Sequence, residues 1–198
     1  MRSVAVHSLR RFEELVGTRD LDFYLGSFSC PQNAEVEEFL KRKALQSSRL
    51  SASVTYLVCG EADKELLGYF TLSVKSYSVA GKSLNSRNRR LVGRFSESDE
   101  NGCFHAPVYL IAQIGKNFAL PADLRIPGRE LLALALNRIS IAKDSVGGKL
   151  VMVEREIDRP KLRDFYAGNG FRSWTTRLNA RDGIAYDQMF AVLGDSRI

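Results

Sequence analysis

The chain has 198 residues, 44% of them hydrophobic and 26% charged, a composition that excludes a disordered or fibrous protein. That length supports one well-buried core and would leave two full domains undersized, so a single domain over 1–198 is expected. The net charge of +6 favours polyanionic partners, a demand that a small polyphosphorylated ligand meets as well as a nucleic acid does.

No apolar run reaches the roughly 18 residues needed to cross a bilayer. Met1 to Arg11 lacks an apolar block ending in a small-residue cleavage site, so no membrane association and a cytoplasmic location are expected. Cys30, Cys59 and Cys103 are odd in number and form no CxxC, which suits reduced structural thiols and neither a disulfide framework nor a metal cage.

In chain order, Ser3 to Leu9 is strand-like, and two short pieces with helical apolar spacing follow it. A helix capped by Asn33 comes next, with Val36, Phe39, Leu40 and Ala44 on one side and an end near Ser47 and Ser48. Ser53 to Cys59 and Leu66 to Tyr77 are rich in β-branched and aromatic residues and read as a hairpin across GEADKE. Gly81 to Gly102 then carries Lys82, Arg87, Arg89, Arg90 and Arg94, followed by Glu97, Asp99 and Glu100. Its few apolar anchors predict a solvated surface insertion with a short helix around Arg87 to Phe95.

From Ala106 the segment APVYLIAQIG predicts a strand, and a loop through Pro121 and Pro127 leads into the helix GRELLALALNRISIAKDSV. Leu132, Ala135, Leu136, Ile139 and Val146 form its apolar stripe, and Gly147 with Gly148 stops it. KLVMVEREI is a continuous apolar strand of the kind covered on both faces. RPKLRDFYAGNG is a helix with proline in its first turn and glycine at its end, and FRSW and YDQMFAVL close the chain as strands. The order predicts an α/β fold with a mixed sheet and helices on both faces.

Two segments carry chemistry. Free amides in the first turn of the helix beginning at Gly128 attract anions, and Arg125 and Arg129 flank that turn. Alternatively, Pro127 and Gly128 simply start a helix between solvated arginines. In the second segment, Leu162 to Phe171, Phe165 and Tyr166 precede a helix-ending Gly170, an arrangement that packing alone also explains. One apolar strand separates the two segments, so both helices cross between neighbouring parallel strands.

From about Val54 to Leu193 the chain resembles the GNAT acetyltransferases. Arg125-Ile126-Pro127-Gly128-Arg129-Glu130 stands where that superfamily has an Arg/Gln-x-x-Gly-x-Gly/Ala loop, and Tyr166-Ala167-Gly168-Asn169-Gly170-Phe171 matches its later Tyr-x-x-x-Gly-Phe helix ending. Glu130 departs from the usual small residue, and Pro127 withdraws one amide from the loop. The resemblance implies a mostly antiparallel twisted sheet whose central parallel pair splays to hold acetyl-CoA, with an amine attacking the thioester directly.

On that resemblance, the strand amides of Ile111, Ala112, Gln113 and Ile114 hold the coenzyme arm and the developing oxyanion. Gly128, Arg129 and Glu130 offer amides to the pyrophosphate, and the Arg125 and Arg129 side chains add charge. Tyr166 matches the position that protonates the leaving thiolate, a role open to a phenol of ordinary pKa near ~10. Glu154, near the end of its strand, is the first choice of general base, with Glu156 second; equally, Glu154 is a strand-end residue paired with Arg155 or Arg172. His7 and His105 are scattered, and no metal is expected.

Three functions follow. The first is acetyl transfer to a small-molecule or protein amine. The second is a GNAT-type toxin acetylating aminoacyl-tRNA, favoured by the basic charge and the arginine-rich insertion. The third is a noncatalytic coenzyme- or nucleic-acid-binding module on the same fold. The acceptor is not encoded in any single charge pattern, and a dimer is compatible with all three.

Overall fold

The computed structural model describes residues 3–180 and 183–194. Its strands form one eight-stranded sheet in the order β1 (Val4–Ser8), β2 (Val54–Gly60), β3 (Leu66–Ala80), β5 (Cys103–Lys116), β6 (Leu150–Glu156), β8 (Ala185–Val192), β7 (Arg172–Leu178), with β4 (Glu97–Ser98) set off this path against β5. The sheet is mixed and mostly antiparallel, as the sequence predicts, and its parallel pair is β5 with β6. The chain divides into two compact units, Met1–Ser73 with Ile111–Arg138, and Val74–Leu110 with Ile139–Ile198.

In the first unit, β1 (Val4–Ser8) pairs antiparallel with β2 (Val54–Gly60), which pairs with the first part of β3 (Leu66–Ala80). Between β1 and β2 lie α1 (Leu9–Val16), α2 (Thr18–Gly26), α3 (Ala34–Glu38) and α4 (Ala44–Arg49). Asn33 caps α3 as expected, its side chain accepting from the Glu35 and Val36 amides at 3.1 and 3.4 Å. The helix predicted from there to Ser48 is interrupted by a π-helical stretch, Phe39–Lys43. Leu9, Leu21, Leu25, Phe28, Leu40, Leu57 and Tyr69 form the core beneath these helices.

The second part of this unit is the end of β5 (Cys103–Lys116) and the first half of α6 (Gly128–Val146). Two glycines set how closely β5 is approached. A Cβ on Gly68 would lie 2.7 Å from the Gly115 carbonyl oxygen, and one on Gly115 would lie 2.5 Å from a Val36 methyl. Asn117 then turns the chain out of the strand. Its side chain accepts from the Ser29 and Ala119 amides and donates to the Leu66 carbonyl at 2.8 Å, satisfying a buried amide.

In the second unit, β6 (Leu150–Glu156) pairs parallel with β5 at Val108↔Leu150, Tyr109↔Val151 and Leu110↔Met152. It pairs antiparallel with β8 (Ala185–Val192), which pairs with β7 (Arg172–Leu178); α7 (Pro160–Gly168) joins β6 to β7. Between β3 and β5 run α5 (Ser86–Val92) and the short β4 (Glu97–Ser98). The segment from 81 to 102 is mostly exposed, with a few anchors reaching inward. Leu84 and Val92 are buried in a core with Tyr77, Val79, Val108, Leu150, Met152, Trp174 and Phe190, and Leu91 and Phe95 pack against it. The predicted Arg87–Phe95 helix starts one residue early and stops at Val92, because Gly93 follows as its C-cap.

Candidate active site

The β5–α6 connection is built by local bonds. The Pro127 carbonyl accepts the first helical bond of α6, from the Leu131 amide at 3.1 Å. Pro127 is therefore the residue before the first turn, where its missing N–H removes nothing from the helix. The amides of Gly128, Arg129 and Glu130 fall in the first turn, whose N–H groups have no intrahelical acceptor. Arg129 is exposed and Glu130 half-buried, so one side chain adds positive charge at this end while the other opposes it.

Arg125 is more constrained than a free anion ligand. Its guanidinium donates to the Leu120 carbonyl at 2.7 Å and the Phe118 carbonyl at 3.0 Å, and lies 5.2 Å from the Phe118 ring centre. It braces the loop that presents the helix start. In the same unit, Ile111 on β5 is buried, Ala112 is exposed, and Gln113 and Ile114 are half-buried. All eight residues expected to meet the coenzyme thus lie on one strand, one loop and one helix start of a single unit.

Tyr166 and Glu154 belong to the second unit. Tyr166 is buried in the last turns of α7, its ring 5.2 Å from that of Phe165 and 5.6 Å from that of Phe171. The Phe171 amide donates back to the Tyr166 carbonyl at 3.0 Å, which fixes the helix end. Burial pushes the phenol up to about 12, so it holds its proton throughout the neutral range.

Glu154 sits in a polar network across β6, β8 and β7. Arg177 donates to both carboxylate oxygens, at 3.1 and 3.2 Å, and the Gln188 side-chain amide donates at 2.7 Å. Thr175 donates to the Gln188 carbonyl oxygen at 2.8 Å, which leaves the Tyr77 hydroxyl as donor to Thr175 at 2.7 Å. Burial opposes ionisation of Glu154, but the Arg177 and Gln188 hydrogen bonds and the charges of Arg177 and Lys75 outweigh it. Together they hold the carboxyl below its ordinary range. The partner is Arg177, not Arg155 or Arg172: Arg155 lies on the opposite face of β6, where it forms a buried ion pair with Asp187 at 2.7 Å. Glu156, the second choice of base, is bonded to Arg159 at 2.7 Å.

Beside this network is an open groove of ≈ 660 Å³ lined by the end of β3, from Lys75 to Ala80, and by Trp174 to Arg177 of β7 with Gln188 of β8. Lys75, Tyr77, Trp174, Arg177 and Gln188 were not picked out from the sequence. The signal available for Arg177 was the run Thr175-Thr176, whose β-branched residues carry β7 well beyond FRSW.

No family model matches the sequence. Solved structures do match it. AtaT complexed with acetyl-methionyl-tRNAfMet aligns with a TM-score of 0.64 at 19% identity, covering 93% of this chain and 94% of AtaT. The chain has the GNAT fold. A bacterial toxin aligns with a TM-score of 0.66 at 18% identity over 97% of this chain and 92% of the toxin. A tyrosine-to-phenylalanine mutant of KacT aligns with a TM-score of 0.63 at 14% identity over 95% of both chains. A tyrosine-to-phenylalanine mutant of AtaT has also been solved bound to the C-terminus of the antitoxin AtaR and to acetyl-CoA.

Proposed function

We propose that this chain transfers the acetyl group of acetyl-CoA to the α-amino group of an aminoacyl-tRNA. The observation that carries the reading is the match, over more than nine-tenths of both chains, to AtaT in complex with an acetylated aminoacyl-tRNA. The pyrophosphate lies at the amides of Gly128, Arg129 and Glu130, with Arg129 adding charge and Arg125 holding the loop. Ile111 to Ile114 align the pantetheine arm. The amine nitrogen attacks the thioester carbonyl carbon, the C–N bond forms as the C–S bond breaks, Tyr166 gives its proton to the departing thiolate, and the proton lost by the acylated nitrogen returns to the Tyr166 phenolate through solvent.

The state of Glu154 supports this acceptor class over a lysine or a polyamine. A carboxylate already bonded to Arg177 and Gln188 and held below its ordinary range is a weak base, so it organises the groove and the amine must arrive largely neutral. An α-amino group, with an ordinary pKa of ~7.7–8.0, has a useful neutral fraction at pH 7, whereas a lysine near ~10.4 has almost none. With Arg177 paired to Glu154, Lys75 leaves the groove one net positive charge, which suits phosphates. The antitoxin seen with AtaT supports a protein inhibitor as a further partner.

The test is incubation with labelled acetyl-CoA and a pool of charged tRNAs, followed by mass analysis of the released aminoacyl adenosines. Acetylated α-amines are expected, and Tyr166→Phe is expected to lower turnover by ~10²- to 10⁴-fold with acetyl-CoA affinity nearly unchanged. Acetylation of free amines but of no charged tRNA overturns the acceptor, and failure to bind acetyl-CoA at all overturns the enzyme.

A further inference from the structure

The hairpin that returns the arginine-bearing segment to β5 gathers three chemically different donors. β4 pairs with β5 at Glu97↔His105 and Ser98↔Phe104, which sets Asp99 opposite Cys103. The turn is tight, with the Asp99 amide donating to the Cys103 carbonyl at 2.9 Å and Gly102 in the left-handed region at φ +71°. Cys103 and His105 are two apart on a strand and so share a face. The Asp99 carboxylate divides its work. Oδ1 accepts from the Asn101 and Cys103 amides at 2.9 and 2.8 Å, while Oδ2 faces His105 Nε2 at 3.2 Å. One donor atom from each of the three side chains lies within 4.8 Å of the other two.

We infer that Asp99, Cys103 and His105 form a binding site for one zinc-class transition-metal ion. Zinc takes thiolate sulfur at ~2.3 Å and imidazole nitrogen or carboxylate oxygen at ~2.0–2.2 Å, so tetrahedral donors stand ~3.3–3.7 Å apart. The Oδ2 to Nε2 separation of 3.2 Å is already of that order, and the thiol needs only a side-chain adjustment. The site also has the outer support that metal-bound histidines use. Ser78 Oγ on β3 is 2.9 Å from His105 Nδ1, so when Nε2 gives up its proton to the ion's approach, Nδ1–H can donate to the hydroxyl and hold the ring. A thiolate and an imidazole in the set select against calcium and magnesium, which prefer oxygen. Without an ion, the Asp99–His105 pair is an exposed, solvent-screened contact that contributes little. With one, β3, the turn after β4 and the start of β5 are tied at a single point, and the arginine-bearing segment between them is anchored at its far end. This inference is independent of the acetyl-transfer reading.

Cobalt is the probe. Chelator-stripped protein titrated with Co²⁺ is expected to saturate at one ion per chain, with a thiolate-to-cobalt charge-transfer band and the intense ligand-field absorption of a four-coordinate site, both displaced by Zn²⁺. Cys103→Ser abolishes the charge-transfer band. His105→Ala and Asp99→Asn weaken binding by at least tenfold, the latter keeping the Oδ1 turn contacts, and Ser78→Ala weakens it by ~10-fold or more. No band in the native protein, or a band that survives Cys103→Ser, overturns the site. A measurement on the native chain guards against a variant that fails to fold: stoichiometric Zn²⁺ is expected to protect Cys103 from alkylation, mapped by mass, and unchanged labelling of Cys103 also overturns the site.

Discussion

Removing the Asp187 carboxylate is expected to be among the most damaging single changes in the second unit. Arg155 and Asp187 face one another in the β6–β8 register, with side chains only 5% and 8% exposed, and bond at 2.7 Å. Ser173 donates to the same carboxylate oxygen at 2.7 Å, and the Arg155 guanidinium also donates to the Glu156 and Ile157 carbonyls. Asp187→Ala leaves the guanidinium buried with two neutral acceptors and no counter-charge, and Ser173 loses its acceptor. Breaking one side of a buried pair costs ~3–5 kcal/mol. At ~2–4 °C per kcal/mol for a chain of this size, the midpoint of thermal unfolding should fall by ~6–20 °C. The double variant Arg155→Met/Asp187→Leu removes both charges and should recover most of the loss, since an apolar replacement of such a pair is often neutral or stabilising. Calorimetry on the native protein and both variants decides it. A single variant within ~1 kcal/mol of native, or a double variant worse than the single, would show that the pair is not the desolvated unit described.

Arg177→Ala releases Glu154 to the effect of burial, so its carboxyl should rise. The native carboxyl is depressed; its contribution to stability is present above the unfolded pKa and lost as pH falls through the lower folded value, and in the variant, whose folded value moves up toward or past the unfolded one, that acid loss should shrink or vanish. Carboxyl NMR titration would read this directly, and identical curves would refute the assignment of Arg177 as the dominant favourable partner. Gly68→Ala drives a Cβ against the Gly115 carbonyl and should destabilise the chain by ~1–3 kcal/mol while weakening acetyl-CoA binding through displacement of β5. A stable variant with native coenzyme affinity would show that the two strands separate there without consequence.

What could be read from the sequence was whatever a local pattern determines. β6 is a run of apolar residues bounded by glycines and charges, α7 carries proline at its start and glycine at its end, and Asn33 caps the helix it precedes. The eight expected coenzyme residues fell together because strand, loop and helix start are consecutive. The polar network around Glu154 was not legible, since Glu154, Gln188, Thr175 and Tyr77 come from four strands and meet only through sheet order. Arg177 reaches Glu154 from across β8, and no spacing in the chain encodes that. The segment from Gly81 to Gly102 was legible in its exposure but not in its anchoring: its apolar residues are few, yet Leu84, Leu91, Val92 and Phe95 all turn toward one core, which composition averages away.

Trp174 is the chain's one tryptophan, and it stacks on Phe190 at 4.3 Å in the wall of the groove. Excitation at the red edge of protein absorption therefore reports from a single address, in the second unit alone. Emission can follow filling of the groove without any attached dye. Set beside circular dichroism, which averages over the whole chain, it also separates two modes of melting. Coincident transitions mean the two units unfold as one cooperative block, and an early optical change means the groove opens while the helices over the other core still stand.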